Sequence, residues 1–298
     1  MKILVIGGTG MLGASIMHLN ALHELFGTFL GRKPKLHKFF ELDITKKNQV
    51  KKVIYKVVPD AIIHTAAITN VDLCQKNPDL ARKVHVAGTS NLVKIAQKKG
   101  AYFIYISTDS VFDGKKGNYT ETDTPNPINV YAQTKFEGEL EALKYENSCV
   151  VRTNIYGYNW LPKESIAEWI IKTLKDGKKI DLFKDVYFSP ILVNNLAEIL
   201  IEVIEKNSSG IYHIASPESI TKLEFGRLIA KLYNFNNDLI NPISIFDLNL
   251  IAPRPLKPTL NCSKVQKVIN TKLLNVENGL KLFKEIKTSY YLEYLKNF

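Results

Sequence analysis

The sequence predicts an α/β fold, a doubly wound parallel sheet with a smaller, discontinuous C-terminal lobe, and three observations carry that expectation. Lys2 to Ile6 is a short β-branched run that ends in glycines, and Leu12 to Leu22 then carries apolar residues at helical spacing, the strand, turn and helix that open a βαβ unit. Strand-like and helix-like segments go on alternating to about residue 157. The strand-like segments are apolar on successive positions, as expected of parallel strands covered on both faces.

In chain order, Thr28 to Leu30 reads as a second strand closed by Gly31 and Pro34, and Phe39 to Leu42 as a third ahead of Asp43. Asn48 to Val58 has helical periodicity and stops at Pro59. Ala61 to His64 is a strand, Pro78 to Lys99 a long helix ended by Gly100, and Tyr102 to Ser107 a strand. Val130 to Tyr145 is a helix and Cys149 to Val151 a strand, with right-handed crossovers throughout. Later elements are sparser: helices over Trp160 to Lys175, Asn194 to Glu205 and Leu223 to Tyr233, and a short strand over Gly210 to Ala215. The prolines between Pro253 and Pro258 exclude both helix and central strand. Residues 1–157 are thus expected to form one domain, and residues 158–298 to complete the sheet and build the smaller lobe.

The chain of 298 residues has a formal net charge of +11, which would suit nucleic acid, an anionic membrane or an anionic small molecule. Its lysines lie in scattered pairs such as Lys46-Lys47 and Lys178-Lys179, with no basic run and no interleaved aromatic stripe. A solvated surface is therefore expected, with neither nucleic acid nor membrane as partner. Cys74, Cys149 and Cys262 fall in no metal-ligand spacing, so neither a disulfide framework nor a metal site is expected. The apolar run after Met1-Lys2 is too short for a signal peptide, and a reducing cytoplasm is the expected compartment.

Gly7, Gly10 and Gly13 stand between the first strand and its helix. Such a turn needs unusual backbone angles, lets a diphosphate approach, and lets the helix pack closely on the strand, while the helix N-terminus offers free N–H groups to the anion. This is a Rossmann-type dinucleotide site. The second strand is followed by Gly31-Arg32-Lys33 with no acid, so NADP(H) is preferred and NAD(H) remains possible, with Arg32 near the ribose phosphate. Asp43 is placed for the adenine edge.

Tyr131 and Lys135 lie at i and i+4, on one helix face. A cation there is expected to lower the tyrosine pKa and make the phenol a usable proton donor to a carbonyl.

With these motifs the chain resembles the extended short-chain dehydrogenase/reductases, in their dTDP-4-dehydrorhamnose reductase-like branch. The resemblance spans essentially the whole chain. It rests on Gly7-Gly8-Thr9-Gly10-Met11-Leu12-Gly13, Asp43-Ile44, His64-Thr65-Ala66-Ala67, Val71-Asp72, Ser107 to Gly114, Tyr131 to Lys135, Arg152-Thr153, Gly210 to His213 and Ala252-Pro253-Arg254-Pro255. It implies reduction of a nucleotide-activated 4-keto-6-deoxysugar, with hydride from the nicotinamide and the proton from Tyr131. Thr108 would bond the substrate carbonyl, and Lys135 would hold the nicotinamide ribose. The turn from Gly7 to Gly13, Met11 and Leu12 included, would hold the cofactor together with Asp43-Ile44. Ala66 and Ala67 would line the cofactor groove, Asp109 and Phe112 the sugar pocket, and Arg254 would reach the nucleotide-diphosphate end. A homodimer is expected by analogy.

Three positions depart from the family pattern. His85 replaces the usual asparagine and, since it too donates and accepts hydrogen bonds, is expected to support Lys135 through water. Asn154-Ile155 follows Arg152-Thr153 where a tryptophan often lies against the sugar, which leaves the sugar open. Asn261 replaces an acid whose role is not carried over. The same machinery would serve an NAD-dependent nucleotide-sugar epimerase or dehydratase, although Ser110 stands where dehydratases commonly have glutamate. A non-catalytic dinucleotide-binding regulatory subunit is the other alternative, since the β subunit of methionine adenosyltransferase resembles this branch.

Overall fold

The structure, a computed structural model, describes residues 1–19, 22–159, 163–286, 293, 295 and 296. Among the described residues seven strands form one parallel sheet: β1 (Lys2–Ile6), β2 (Glu24–Phe29), β3 (Phe39–Glu41), β4 (Ala61–His64), β5 (Tyr102–Thr108), β6 (Ser148–Thr153) and β7 (Gly210–His213). They lie in the order β7-β6-β5-β4-β1-β2-β3, so the winding reverses between β1 and β4. Such a switch point leaves a crevice at the carboxyl ends of the strands. The helices that cover the sheet are α1 (Met11–His18), α2 (Lys47–Val57), α3 (Thr89–Lys99), α4 (Val130–Ala142) and α5 (Val193–Glu205).

The unbroken apolar run of β1 is explained by its two covered faces. Ile3 and Val5 pack into one cluster with Leu12 and Ile16 of α1 and Leu196 and Leu200 of α5. Leu4 and Ile6 enter another with Val50 and Ile54 of α2 and Leu92 and Ala96 of α3. A third cluster belongs to the C-terminal lobe, where helices Ile166–Lys175, Lys222–Tyr233 and Val276–Ile286 pack with the parallel strand pair Ile180–Phe183 and Ile240–Ile243.

The first helix is shorter than its periodicity predicts and ends at His18, with residues 20 and 21 outside the described residues. β2 begins at Glu24 rather than Thr28, because Lys2 and Glu24 already stand in register. Gly27 inside that strand reads as a break in sequence, yet a Cβ there would lie 2.3 Å from the Phe39 ring, so the glycine is what lets β3 approach. The helix expected from Trp160 begins at Ile166, and residues 160–162 lie outside the described residues. Before α3, the helix Pro78–Arg82 runs into a π-helical turn, Lys83–Gly88.

Candidate active site at the carboxyl ends of the strands

A cleft of about 840 Å³ opens at the switch point. Its glycine wall is built as the spacing requires. Gly7 has φ +82°, and a Cβ there would meet the Ala66 nitrogen at 2.9 Å. A Cβ on Gly13 would lie 2.2 Å from the Gly7 carbonyl oxygen, so that glycine seats α1 against β1. The Gly10 N–H closes the turn on the Gly7 carbonyl at 2.9 Å, and no side chain caps the N-terminus of α1, which leaves its first N–H groups for an anion.

Of the residues singled out in the sequence, Gly7, Gly10, Met11, Leu12, Asp43, Ile44, Ala66, Ala67, Thr108, Asp109, Tyr131 and Lys135 all line this cleft. Burial pushes the Asp43 carboxyl up, but the Thr45 hydroxyl and N–H, at 2.7 and 2.9 Å, and the nearby Lys46 and Lys83 outweigh it, and the net shift is down.

α4 carries Tyr131 and Lys135 to the cleft floor. Its N-cap, Asn129, accepts from the Ala132 N–H at 2.8 Å and donates to the Pro253 carbonyl at 2.9 Å, which ties the helix to the proline-rich loop. Gly138 lets α4 lie against β5, since a Cβ there would be 2.3 Å from the Tyr105 hydroxyl. Burial raises the Tyr131 phenol to about 12, against the hydrogen bond from Thr108, and the Asp109 charge adds to the rise. Lys135 is 3% exposed, and burial lowers its ammonium to about 7 while Glu139 pulls it upward. Two expectations are corrected here. The Lys135 ammonium donates to the Ile106 carbonyl at 2.7 Å and lies 4.0 Å from the Tyr105 ring centre, so the group drawing Tyr131 downward is Thr108. His85 has no nitrogen left for a water on the way to Lys135: Nε2 accepts from the Ile68 N–H at 3.0 Å, which puts the proton on Nδ1, 2.8 Å from the Thr134 hydroxyl. Burial and the Lys135 charge lower its pKa to about 3, and the ring stands edge-on to Tyr131.

Asp109 is 1% exposed. Its Oδ1 accepts from the hydroxyls of Thr108 and Ser110 at 3.1 and 3.2 Å, and its Oδ2 from the Asn154 amide at 2.7 Å. Phe112 does not line the cleft, contrary to expectation. A 3₁₀ turn over Asp109–Val111 turns it into the core, where it stacks on Tyr119 with ring centres 4.1 Å apart. Arg254 is likewise outside the lining, because its guanidinium donates to Asp72 at 2.8 Å and to the Ala252 carbonyl at 2.6 Å. Arg32 is exposed on the turn after Leu30, which does line the cleft.

Two groups escaped the sequence reading. Lys163 reaches across the cleft to the Thr69 hydroxyl, and no local pattern marks it. Glu139 and Arg152 form a buried ion pair at 2.7 Å behind Lys135. An arginine directly after the apolar run Cys149-Val150-Val151 was the available signal.

Residues 1–288 match the RmlD substrate binding domain family. The chain belongs to that family. Within the extended short-chain dehydrogenase/reductases, it is similar to methionine adenosyltransferase 2 subunit beta of Xenopus laevis, 31% identical over 278 residues that cover 90% of this chain and 82% of that one. It is also similar to the probable low-salt glycan biosynthesis reductase Agl14 of Haloferax volcanii, 29% identical over 285 residues, 93% of this chain and 95% of the relative. Among solved structures, a hypothetical dTDP-4-dehydrorhamnose reductase from Sulfolobus tokodaii superposes with a TM-score of 0.83 at 32% identity, covering 93% of this chain and 99% of that one. The dTDP-4-dehydrorhamnose reductase of Bacillus anthracis, solved in complex with NADP, gives 0.87 at 28%, covering 96% and 99%. Among the described residues no helix is long and apolar enough to cross a membrane.

Proposed function

We propose that this family member reduces the 4-keto group of a nucleotide-activated 6-deoxysugar at the expense of a nicotinamide dinucleotide. One observation carries the reading: Thr108, Tyr131 and Lys135 line one cleft whose wall is the glycine turn, with Lys135 one helical turn after Tyr131. Gly7 and Gly10 in the cleft lining, and the N-terminus of the helix Met11–His18 without a side-chain cap, fit a dinucleotide lying against that wall. When bound, the reduced nicotinamide supplies hydride. The protein's own residues do the rest. Thr108 orients the carbonyl oxygen, and Tyr131, protonated at neutral pH with its phenol near 12, hands that oxygen a proton as the alcohol forms. Lys135, whose ammonium spends one donor on the Ile106 carbonyl, would hold the nicotinamide ribose with the others. Arg32 and Lys33 follow β2 with no acid between them, which supports NADPH over NADH. Ser110 commits its hydroxyl to Asp109, in keeping with reduction rather than dehydration.

The test is cofactor oxidation with a panel of nucleotide-4-keto-sugars, NADPH and NADH in parallel. Tyr131→Phe is expected to lower turnover by about 10²–10⁴-fold. Full turnover in that variant on the best keto-sugar would remove Tyr131 as the proton donor. The similarity to methionine adenosyltransferase subunits favours a second reading, a dinucleotide-binding regulatory subunit. Turnover by the purified chain alone separates the two, and its absence across the whole panel would favour the regulatory role.

A further inference from the structure

Asn154 is one of the positions where the sequence departs from the family pattern, and the reaction above gives it no task. It directly follows β6, and the pairing of Thr108 with Thr153 on the parallel strands sets it beside Asp109, the residue after β5. Its main chain is fixed, because the Asn154 carbonyl accepts from the Ile191 N–H at 2.9 Å. Its side chain is fixed as well. The amide donates to Asp109 Oδ2 at 2.7 Å, while Oδ1 of the same carboxylate accepts from the Thr108 and Ser110 hydroxyls at 3.1 and 3.2 Å. A carboxylate that serves three donors offers only acceptors, so the amide turns its nitrogen toward Asp109 and its oxygen elsewhere.

That oxygen is the open group. Among the described residues nothing donates to Asn154 Oδ1, and it is not closed off from solvent: the residue is half-buried and lines the cleft, as Thr108 and Asp109 do. A fixed acceptor on a cleft wall selects a donor. Phosphate oxygens bring none, whereas each hydroxyl of a sugar brings one. The place on the ring follows from Asp109, which holds Thr108 on one carboxylate oxygen and Asn154 on the other, so the two side chains meet neighbouring parts of a bound molecule. In the reading above, Thr108 holds the reacting carbonyl. The ring neighbours of that carbonyl in a 4-keto-6-deoxysugar are C3, which carries a hydroxyl, and C5, which carries the methyl group and no donor.

We infer that Asn154 is a specificity residue whose amide oxygen accepts the proton of the C3 hydroxyl in a hydrogen bond, with Asp109 as the positioning residue that fixes the amide. The inference rests on the reductase reading for its substrate. It gives Asp109 a second role beside Thr108, since one carboxylate sets the direction of both groups that meet the sugar.

The experiment measures kcat/KM for the best nucleotide-4-keto-6-deoxysugar of the panel and for its 3-deoxy counterpart, in the wild type, Asn154→Ala, Asn154→Ser and Asp109→Asn. The wild type is expected to prefer the hydroxylated substrate by about 10–100-fold, and Asn154→Ala to cut that preference to less than about threefold. Asn154→Ser can still donate to Asp109 but carries no second oxygen, so it is expected to lose the preference too and decides the matter if the alanine variant does not fold. Asp109→Asn is expected to lower the same ratio, because an amide in that place no longer dictates which way Asn154 turns. Both substrates are compared on one preparation, so a loss of folded protein cancels in the ratio. A wild type that ignores the C3 hydroxyl, or a preference that the Asn154 variants leave intact, overturns the inference. A raised KM for NADPH with an unchanged ratio overturns it as well, by assigning the amide to the cofactor. If the wild type turns over no keto-sugar, the reductase reading fails on its own, and calorimetric titrations with dTDP-glucose and dTDP-3-deoxyglucose test the amide separately. Tighter binding of the first that Asn154→Ser abolishes supports the contact, and equal binding, or none, overturns it.

Discussion

Lys135 and Glu139 lie four residues apart on one face of α4, and both are buried, yet their surroundings differ. Glu139 receives Nε of Arg152 at 3.0 and 3.2 Å, its Nη2 at 2.7 Å, and the Ser107 hydroxyl at 2.5 Å. Arg152 is itself enclosed, with its guanidinium 5.0 Å from the Phe112 ring centre and Nη1 3.5 Å from Nε2 of His213. That histidine bonds the Tyr119 carbonyl through Nδ1, and burial and the Arg152 charge hold its pKa near 3, so Nε2 is bare and faces the cation. Lys135 by contrast has one carbonyl and the face of one ring. A buried charge with a full set of partners fixes structure, whereas one left with spare donors at a cleft is held ready for a ligand.

The contrast breaks most visibly at Arg152. Arg152→Met leaves the Glu139 carboxylate buried beside one hydroxyl, and a loss of about 3–5 kcal/mol in unfolding free energy is expected, read from urea midpoints. A change below 1 kcal/mol would mean that the pair is not what holds β6 to α4.

Lys135→Met is expected to do the reverse. It removes a charge that burial disfavours and should raise stability by about 1–3 kcal/mol near neutral pH while abolishing turnover. The sign can be checked against pH. The folded-state pKa of Lys135, about 7, lies below its ordinary value of 10.5, so between these limits the unfolded chain holds more protons and stability rises with pH. The penalty is complete below pH 7 and fades toward 10.5, so the advantage of Lys135→Met over the wild type should shrink across that window. A constant difference from pH 7 to pH 10 would show that Lys135 carries no burial penalty.

The same distinction explains what the sequence made legible. Local chemistry did so wherever it was self-sufficient: the runs of β1 and β4, covered on both faces, the glycine turn, and the i, i+4 pair on α4. It failed where an element is defined by a partner. β2 starts early because β1 is there to pair with, and the strand pair Ile180–Phe183 and Ile240–Ile243 is short, with Pro242 inside it. Phe112 follows a motif that faces the cleft, but one 3₁₀ turn reverses its direction. The partners of buried charges were the least legible. Sequence shows that Arg152 directly follows an apolar run, but not that Glu139, thirteen residues earlier on α4, answers it.

Arg254 lies between the two kinds of charge and gives the smallest expected effect on stability. Its bonds to Asp72 and Ala252 pin the proline-rich loop to the helix Val71–Lys76, but its side chain is 25% exposed and that of Asp72 38%. The bond from Arg254 leads the causes that hold the Asp72 carboxyl below its usual range, and the Ala252 N–H, at 3.2 Å, would stay on Asp72 without it. Solvent screens such a pair, so Arg254→Met should cost no more than about 1 kcal/mol, and less at high salt. The guanidinium also leaves donors unused, which by the contrast drawn from α4 makes it available to an anionic end of the substrate. Arg254→Met is then expected to raise KM for the nucleotide sugar by about tenfold with kcat nearly unchanged, the signature of lost uniform binding. A KM equal to that of the wild type would move Arg254 to the side of Glu139 and Arg152, as a charge already matched within the fold.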